Sequence, residues 1–218
     1  DKRIAALKNI VEIIKNKKKQ GNQVRKEISD ILTQNNLFTE IFGSNSHIQL
    51  VNKSKELLEV LAVENLINKE DLELIWHATT KGDLETKLTI IKILKETAIF
   101  LNLESKKFLV GKIYELNPND AHTEEMNLLS ELIKSIYNNE NNLDIVKTLI
   151  VYILNGIFKL HGGETEKVKS HHRKIFDWVS KFDKIKEFFY NYLLSIVQEG
   201  KGSTPQCLRL LRVLIKDK

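Results

Sequence analysis

Few residues in this chain have the types that do chemistry: six histidines and a single cysteine among 218 residues. His161, Glu164, His171 and His172 are the only gathering of metal-ligand types, and a metal site needs such groups to converge at ligand spacing. On a helix the adjacent His171 and His172 point about 100° apart, so they do not chelate together as an i, i+4 pair does. A solvated helix face beside a glycine loop accounts for them better. Cys207 is the one thiol. A nucleophilic thiolate needs a base beside it and an electropositive setting, whereas Thr204, Pro205 and Gln206 read as a helix start with no cysteine-protease box around it. A packing role is expected. His77 follows Trp76 on a helix and His122 sits beside Asp120, neither with a nucleophile close in sequence. Gly162-Gly163 lacks the spacing of a phosphate loop and suits a helix C-terminus. No cofactor is implied.

Basic residues offer a second kind of chemistry. Residues 1–27 hold nine Lys/Arg against three Asp/Glu, while the rest of the chain is nearly balanced, so the net charge of +5 belongs to one end. Lys15, Lys17, Lys18, Lys19, Arg25 and Lys26 form a candidate basic patch for nucleic acid or an acidic membrane surface. The bland account is equally physical: cations favour the negative end of a helix dipole, and Gly21 suits the residue after it. Trp178 between Lys174 and Lys181 could stack a base, but a partly buried packing residue explains it as well. Phe188, Phe189, Tyr190 and Tyr192 cover more than one helix face. At least one of these rings is expected at the surface, the best local hint of a partner site.

The elements that must carry these residues are helical. Only two prolines and nine glycines interrupt a chain that is 42% hydrophobic and 29% charged, and no alternation with hairpin signals is found. No apolar run approaches the ~18–20 residues that span a bilayer. One cysteine excludes a disulfide framework and agrees with a reducing compartment, the cytoplasm or the nucleus. The chain starts inside a helix pattern and stops just after one, which reads as a segment of a longer protein.

In order, helix one carries Ile4, Leu7, Val11 and Ile14 on one face. Val24, Ile28, Ile31 and Leu32 mark the next, and Leu37, Phe38, Ile41 and Phe42 a short apolar segment. Ser44 or Ser46 is the expected cap of a helix burying Val51, Leu58, Leu61 and Ala62. Phe108, Leu109 and Ile113 face inward on a helix from Glu104 to Leu116. Asp120 or Thr123 restarts the pattern after Pro118, with Leu129, Leu132, Ile133 and Ile136 inside. Leu143, Val146, Ile150, Ile153, Ile157 and Leu160 follow, then a helix with Val168, Ile175, Phe176 and Val179, and one with Ile185, Phe188, Phe189, Tyr192, Leu193 and Ile196. Thr204 and Pro205 open the last helix, with Leu208, Leu211 and Ile215 apolar. The expectation is all-α: an irregular armadillo/HEAT-like array of ten or eleven helices over residues 1–218, read as one helical-repeat segment.

The most regular stretch runs from Asn68 to Leu94. Asn68 is a natural N-cap with Glu70, Asp71 and Glu73 in the first turn, and Leu72, Ile75 and Trp76 form the buried side. Gly82 stops this helix and Asp83 starts another. There Leu84, Leu88, Ile91, Leu94, Ala98 and Leu101 form one stripe, and Ile90, Ile93 and Phe100 a second. A helix apolar on two faces belongs to an inner layer.

QNNLFTEIF from Gln34, INKEDLELIWHATTKGDLETKL from Ile67 and LRLLRVLIKDK from Leu208 resemble the large fat-facets-type ubiquitin-specific proteases of the ubiquitin carboxyl-terminal hydrolase family. RIAALKNI from Arg3 is similar to the start of that family's helical region. The signature is Asp71, Leu72, Ile75, Trp76, Ala78 and Gly82, an architectural marker made of a cap, core anchors and a turn. The likeness is strong from Gln34 to Leu101, weak from Ala121 to Gly200, and returns in the last helix. It implies a non-catalytic scaffold whose parent carries a papain-like thiol protease domain further on. No cysteine box, histidine box or catalytic residue is carried over. The implied partners are proteins, either ubiquitinated substrates or other domains of the parent chain. Basic binding of nucleic acid or membrane, and a HEAT-type adaptor, are the competing expectations.

Overall fold

Few breakers and strong capping residues leave little alternative to helix. The computed structural model describes residues 2–17, 27–28, 31, 36–43, 47–116, 123–137, 143–159, 173, 176–177, 183–200 and 204–216. Among these it holds ten α-helices and no strand. They are α1 (Lys2–Lys17), α2 (Leu37–Phe42), α3 (Ile48–Val63), α4 (Lys69–Lys81), α5 (Leu84–Thr97), α6 (Leu103–Glu115), α7 (Thr123–Tyr137), α8 (Leu143–Lys159), α9 (Asp183–Gln198) and α10 (Thr204–Lys216). The all-α expectation is met. The helix expected around Val168, Ile175 and Val179 lies largely outside the described residues.

The chain divides into two compact units, Asp1–Ile113 with Asn127–Ser135, and Tyr114–Met126 with Ile136–Lys218. In the first, α1 packs on α3 and α3 on α5, while α2 packs on α3 and α4, and α4 on α5. From α1 to α5, odd and even helices thus form two layers, with α1 meeting α3, α2 meeting α4 and α3 meeting α5, as in stacked helical repeats. Their interiors are aliphatic: Leu7, Val11 and Ile14 of α1, Val51, Leu57, Leu58 and Leu61 of α3, and Ile90, Ile91 and Leu94 of α5 are buried. Three buried hydroxyls are satisfied within their own helices. Ser54 donates to the Val51 carbonyl at 2.7 Å, Thr79 to Trp76 at 2.6 Å and Thr97 to Ile93 at 2.9 Å, so they enter the core without an orphaned polar group.

Several local expectations are corrected. The N-cap of α3 is His47, whose Nδ1 accepts from the Gln49 N–H at 3.3 Å; Ser44 and Ser46 lie outside the described residues. Ile31 is exposed although Ile28 is buried. The α5 helix does receive neighbours on two sides, α3 and α4, but it ends at Thr97. Phe100 falls in the turn beyond, where helical spacing no longer sets its direction, and is exposed, as is Leu84 at the first helical position. Phe108 is half-buried rather than interior.

In the second unit α9 packs on both α8 and α10. Val146, Leu149, Ile150, Ile153 and Leu154 of α8 and Ile185, Phe189, Leu193 and Ile196 of α9 are buried, and Phe176 meets Phe189 edge-on with ring centroids 6.3 Å apart. The Tyr152 hydroxyl donates to the Leu116 carbonyl at 2.5 Å and its ring lies 4.9 Å from that of Tyr114. Burial, reinforced by Glu125 and then Tyr114, pushes the Tyr152 hydroxyl up to about 12, so it stays a proton donor to that carbonyl. On α10 the buried face is Cys207, Leu210, Leu211 and Leu214. Of the expected Leu208, Leu211 and Ile215, only Leu211 is inside.

Candidate interaction surfaces

The Asn68–Gly82 marker is built as the sequence suggests, with more detail than spacing gives. The Asp71 N–H donates to Asn68 Oδ1 at 2.7 Å, and the Asn68 N–H donates to Asp71 Oδ2 at 3.0 Å. This reciprocal capping box satisfies two backbone donors that the helix start would otherwise leave orphaned. Burial raises the Asp71 carboxyl above its ordinary value, against the opposing hydrogen bond from Asn68 and with a small push from Glu70. Leu72, Ile75 and Trp76 are buried, Trp76 with 6% exposure. Gly82 ends α4 with φ −73°, so its backbone does not need glycine. Space does: a Cβ there would sit 3.0 Å from the Ala78 carbonyl oxygen and 3.1 Å from Thr86 Cγ2. Asp83 then caps α5, accepting from the Thr86 N–H at 2.7 Å, and that hydrogen bond holds its carboxyl below the usual range.

Two clefts open beside this element. One, of about 420 Å³, has Phe42, Val51 and Ile90 as its apolar floor and His77, Lys81 and Asp83 at its polar edge. The other, also about 420 Å³, lies between the starts of α4 and α6 and is lined by Ile67, Lys69, Leu72, Ser105 and Phe108, among others. Lys69 and Lys112 place their ammonium groups 5.9 Å and 5.5 Å from the Phe108 ring centre, and Lys112 also pairs with Glu73 at 2.8 Å. An apolar floor with charged edges suits a protein side chain. No nucleophile–base pair is formed by the residues named at either cleft.

The basic patch is only partly within the described residues. Lys18, Lys19, Arg25 and Lys26 lie outside them, and Lys17 is the last residue of α1. Lys15 is engaged: its ammonium meets Glu56 of α3 at 2.5 Å, and that hydrogen bond, with the charge of Lys15, lowers the Glu56 carboxyl. Within α1 this lysine serves helix–helix packing. Of the candidate metal ligands, His161, Glu164, His171 and His172 lie outside the described residues, as do His122, Gly162-Gly163, Lys174, Trp178 and Lys181. Among the described residues no group of three or more His, Cys, Asp or Glu could hold a metal ion.

Cys207 is fully buried, as the packing role requires. The aromatic group on α9 divides as expected. Phe189 is interior, Phe188 and Tyr192 stack with centroids 6.1 Å apart, and Tyr190 is exposed. Lys147 of α8 lies 5.6 Å from the Phe188 ring centre. The clefts escaped sequence reasoning because their walls come from residues far apart in the chain. No helix among the described residues is long and apolar enough to cross a membrane.

The chain is similar to the ubiquitin carboxyl-terminal hydrolase puf of Drosophila melanogaster, 30% identical over 115 residues, which is 53% of this chain and 3% of that protein. It is similar at 29% identity over 122 residues to ubiquitin carboxyl-terminal hydrolase 34 of Homo sapiens, again 53% of this chain and 3% of the relative; the Mus musculus protein matches equally. The chain therefore spans about 3% of the length of these relatives. No protein-family profile and no solved structure matches it.

Proposed function

We propose that residues 1–218 act as one non-catalytic helical-repeat segment of a large ubiquitin carboxyl-terminal hydrolase, a deubiquitinating thiol protease. In this reading the segment positions a distal catalytic domain or holds protein substrates. The observation that carries the reading is the 30% likeness to a ubiquitin carboxyl-terminal hydrolase over half the chain. It is supported by the burial of the lone thiol. A cysteine nucleophile must reach the carbonyl of a protein substrate, and a side chain sealed in the packed face of α10 does not. The two-layer stacking of the first unit suits a binding role, since successive helices of such an array line an extended surface.

The test uses two proteins. The 218-residue segment alone should leave a fluorogenic ubiquitin conjugate uncut, while a chain extended through the hydrolase domain of its parent cleaves it. Deleting the segment from that longer chain should spare cleavage of the small conjugate and reduce processing of ubiquitinated proteins. Cleavage by the segment alone, abolished by Cys207→Ala, would overturn the reading.

A further inference from the structure

The α10 helix carries more apolar surface than its own unit covers. Cys207, Leu210, Leu211 and Leu214 are buried, yet Leu208 and Ile215 are 52% and 57% exposed. Seven residues apart, these two lie nearly in line along the helix, about 10 Å from each other, on the flank next to Leu211. Arg212 is exposed on the same flank, one turn from Leu208 and three residues before Ile215. Along its whole length α10 holds Arg209, Arg212 and Lys216 and no acidic residue. We propose that this flank docks an acidic amphipathic helix of a partner protein. Two aliphatic residues one heptad apart would seat against Leu208 and Ile215, and carboxylates beside them would face Arg212.

Charge decides among the possible occupants. A second copy packing antiparallel about the midpoint of Leu208 and Ile215 would bring Arg212 against its own counterpart, a like-charge contact in a partly desolvated seam. An anionic bilayer wants a broad apolar face lying in the interface, but four apolar residues of α10 are already committed to the protein interior. A narrow two-residue stripe with a cation beside it fits the groove-and-anchor mode of helix recognition, in which heptad-spaced aliphatics supply contact and flanking charges set the partner. The proposal goes beyond the deubiquitinase reading and does not depend on it, because direct binding is its readout.

The probe is an acetylated, amidated peptide of about three heptads with Leu at the a and d positions and Glu at e and g. Its dye-labelled form is titrated with the 218-residue chain and followed by fluorescence anisotropy. A matched peptide with Lys at e and g is run alongside, and sedimentation of the chain alone and co-flotation with phosphatidylcholine–phosphatidylserine vesicles complete the set. Expected are saturable binding of the Glu peptide, binding at least about tenfold weaker for the Lys peptide, and about tenfold loss in Leu208→Ser/Ile215→Ser and in Arg212→Glu. Both altered sites are exposed, so unchanged circular dichroism should accompany the loss. Equal affinity for both peptides, or no binding, overturns the proposal. So does self-association abolished by Leu208→Ser/Ile215→Ser, which would assign the flank to a second copy, or vesicle binding with the same sensitivity, which would assign it to lipid.

Discussion

The α4 and α10 helices have the same length, 13 residues. Spacing alone gives the buried face of α4 correctly and that of α10 incorrectly. In α4 the apolar side chains Leu72, Ile75 and Trp76 occupy a single arc, and most of the remaining surface is charged or polar, so only one rotation buries the arc. In α10 Leu208, Leu210, Leu211, Val213, Leu214 and Ile215 spread beyond any arc that one neighbour covers. Periodicity then allows two orientations, and only the fit against α9 selects between them. A wide apolar arc is information about the number of neighbours, not about which face meets the first one.

The comparison breaks most sharply at its anchors. Trp76→Ala should destabilise the first unit by ~3–5 kcal/mol in urea unfolding, the cost of a large buried cavity. A loss under ~1 kcal/mol with unchanged helicity would mean that the ring does not hold α4 in place. On α10 the contrast lies within one helix. Leu210→Ala should cost ~2–4 kcal/mol, because Leu210 is buried, while Leu208→Ala should cost less than ~0.5 kcal/mol. Equal losses would return Leu208 to the core and remove the exposed stripe. Asn68→Ala should cost ~1 kcal/mol through the lost half of the capping box.

How far the sequence reached follows from these particulars. Helix type, the α4 cap, the turn at Gly82 and the aliphatic interiors of α1, α3 and α7 were legible, because caps and single apolar arcs are local signals. Gly82 stops α4 as expected, and the structure adds that it gives room near Ala78 and Thr86. Two buried polar groups had no local signal. Lys106 and Glu125 sit on helices whose patterns put charge outside, yet each is buried. Burial lowers the Lys106 ammonium below its ordinary value, as expected where a long aliphatic stem packs inside and its charge is partly desolvated. The clefts by Phe42 and Phe108 depend on which helices become neighbours, and that is a property of the stack.

The smallest expected effect separates the two capping carboxylates that bracket α4 and α5. Asp83 is held below its ordinary 3.8 by the Thr86 hydrogen bond. The folded state therefore binds its proton less tightly than the unfolded chain does. Its contribution is in place above the unfolded value and is lost as pH falls through the lower folded one. Asp71 is shifted upward from 3.8 by burial, so the sign reverses: the fold favours its protonated form, and stability falls as pH rises from 3.8 through the folded value. Neither group changes stability further once both states are ionised. Urea midpoints between pH 3 and pH 6 should therefore move oppositely for the two asparagine variants. The deficit of Asp83→Asn relative to the native chain should widen with rising pH, and that of Asp71→Asn should narrow. Parallel trends would mean that the capping hydrogen bond, rather than burial, governs both carboxylates, and the α4 cap would then be as solvent-accessible as the α5 cap.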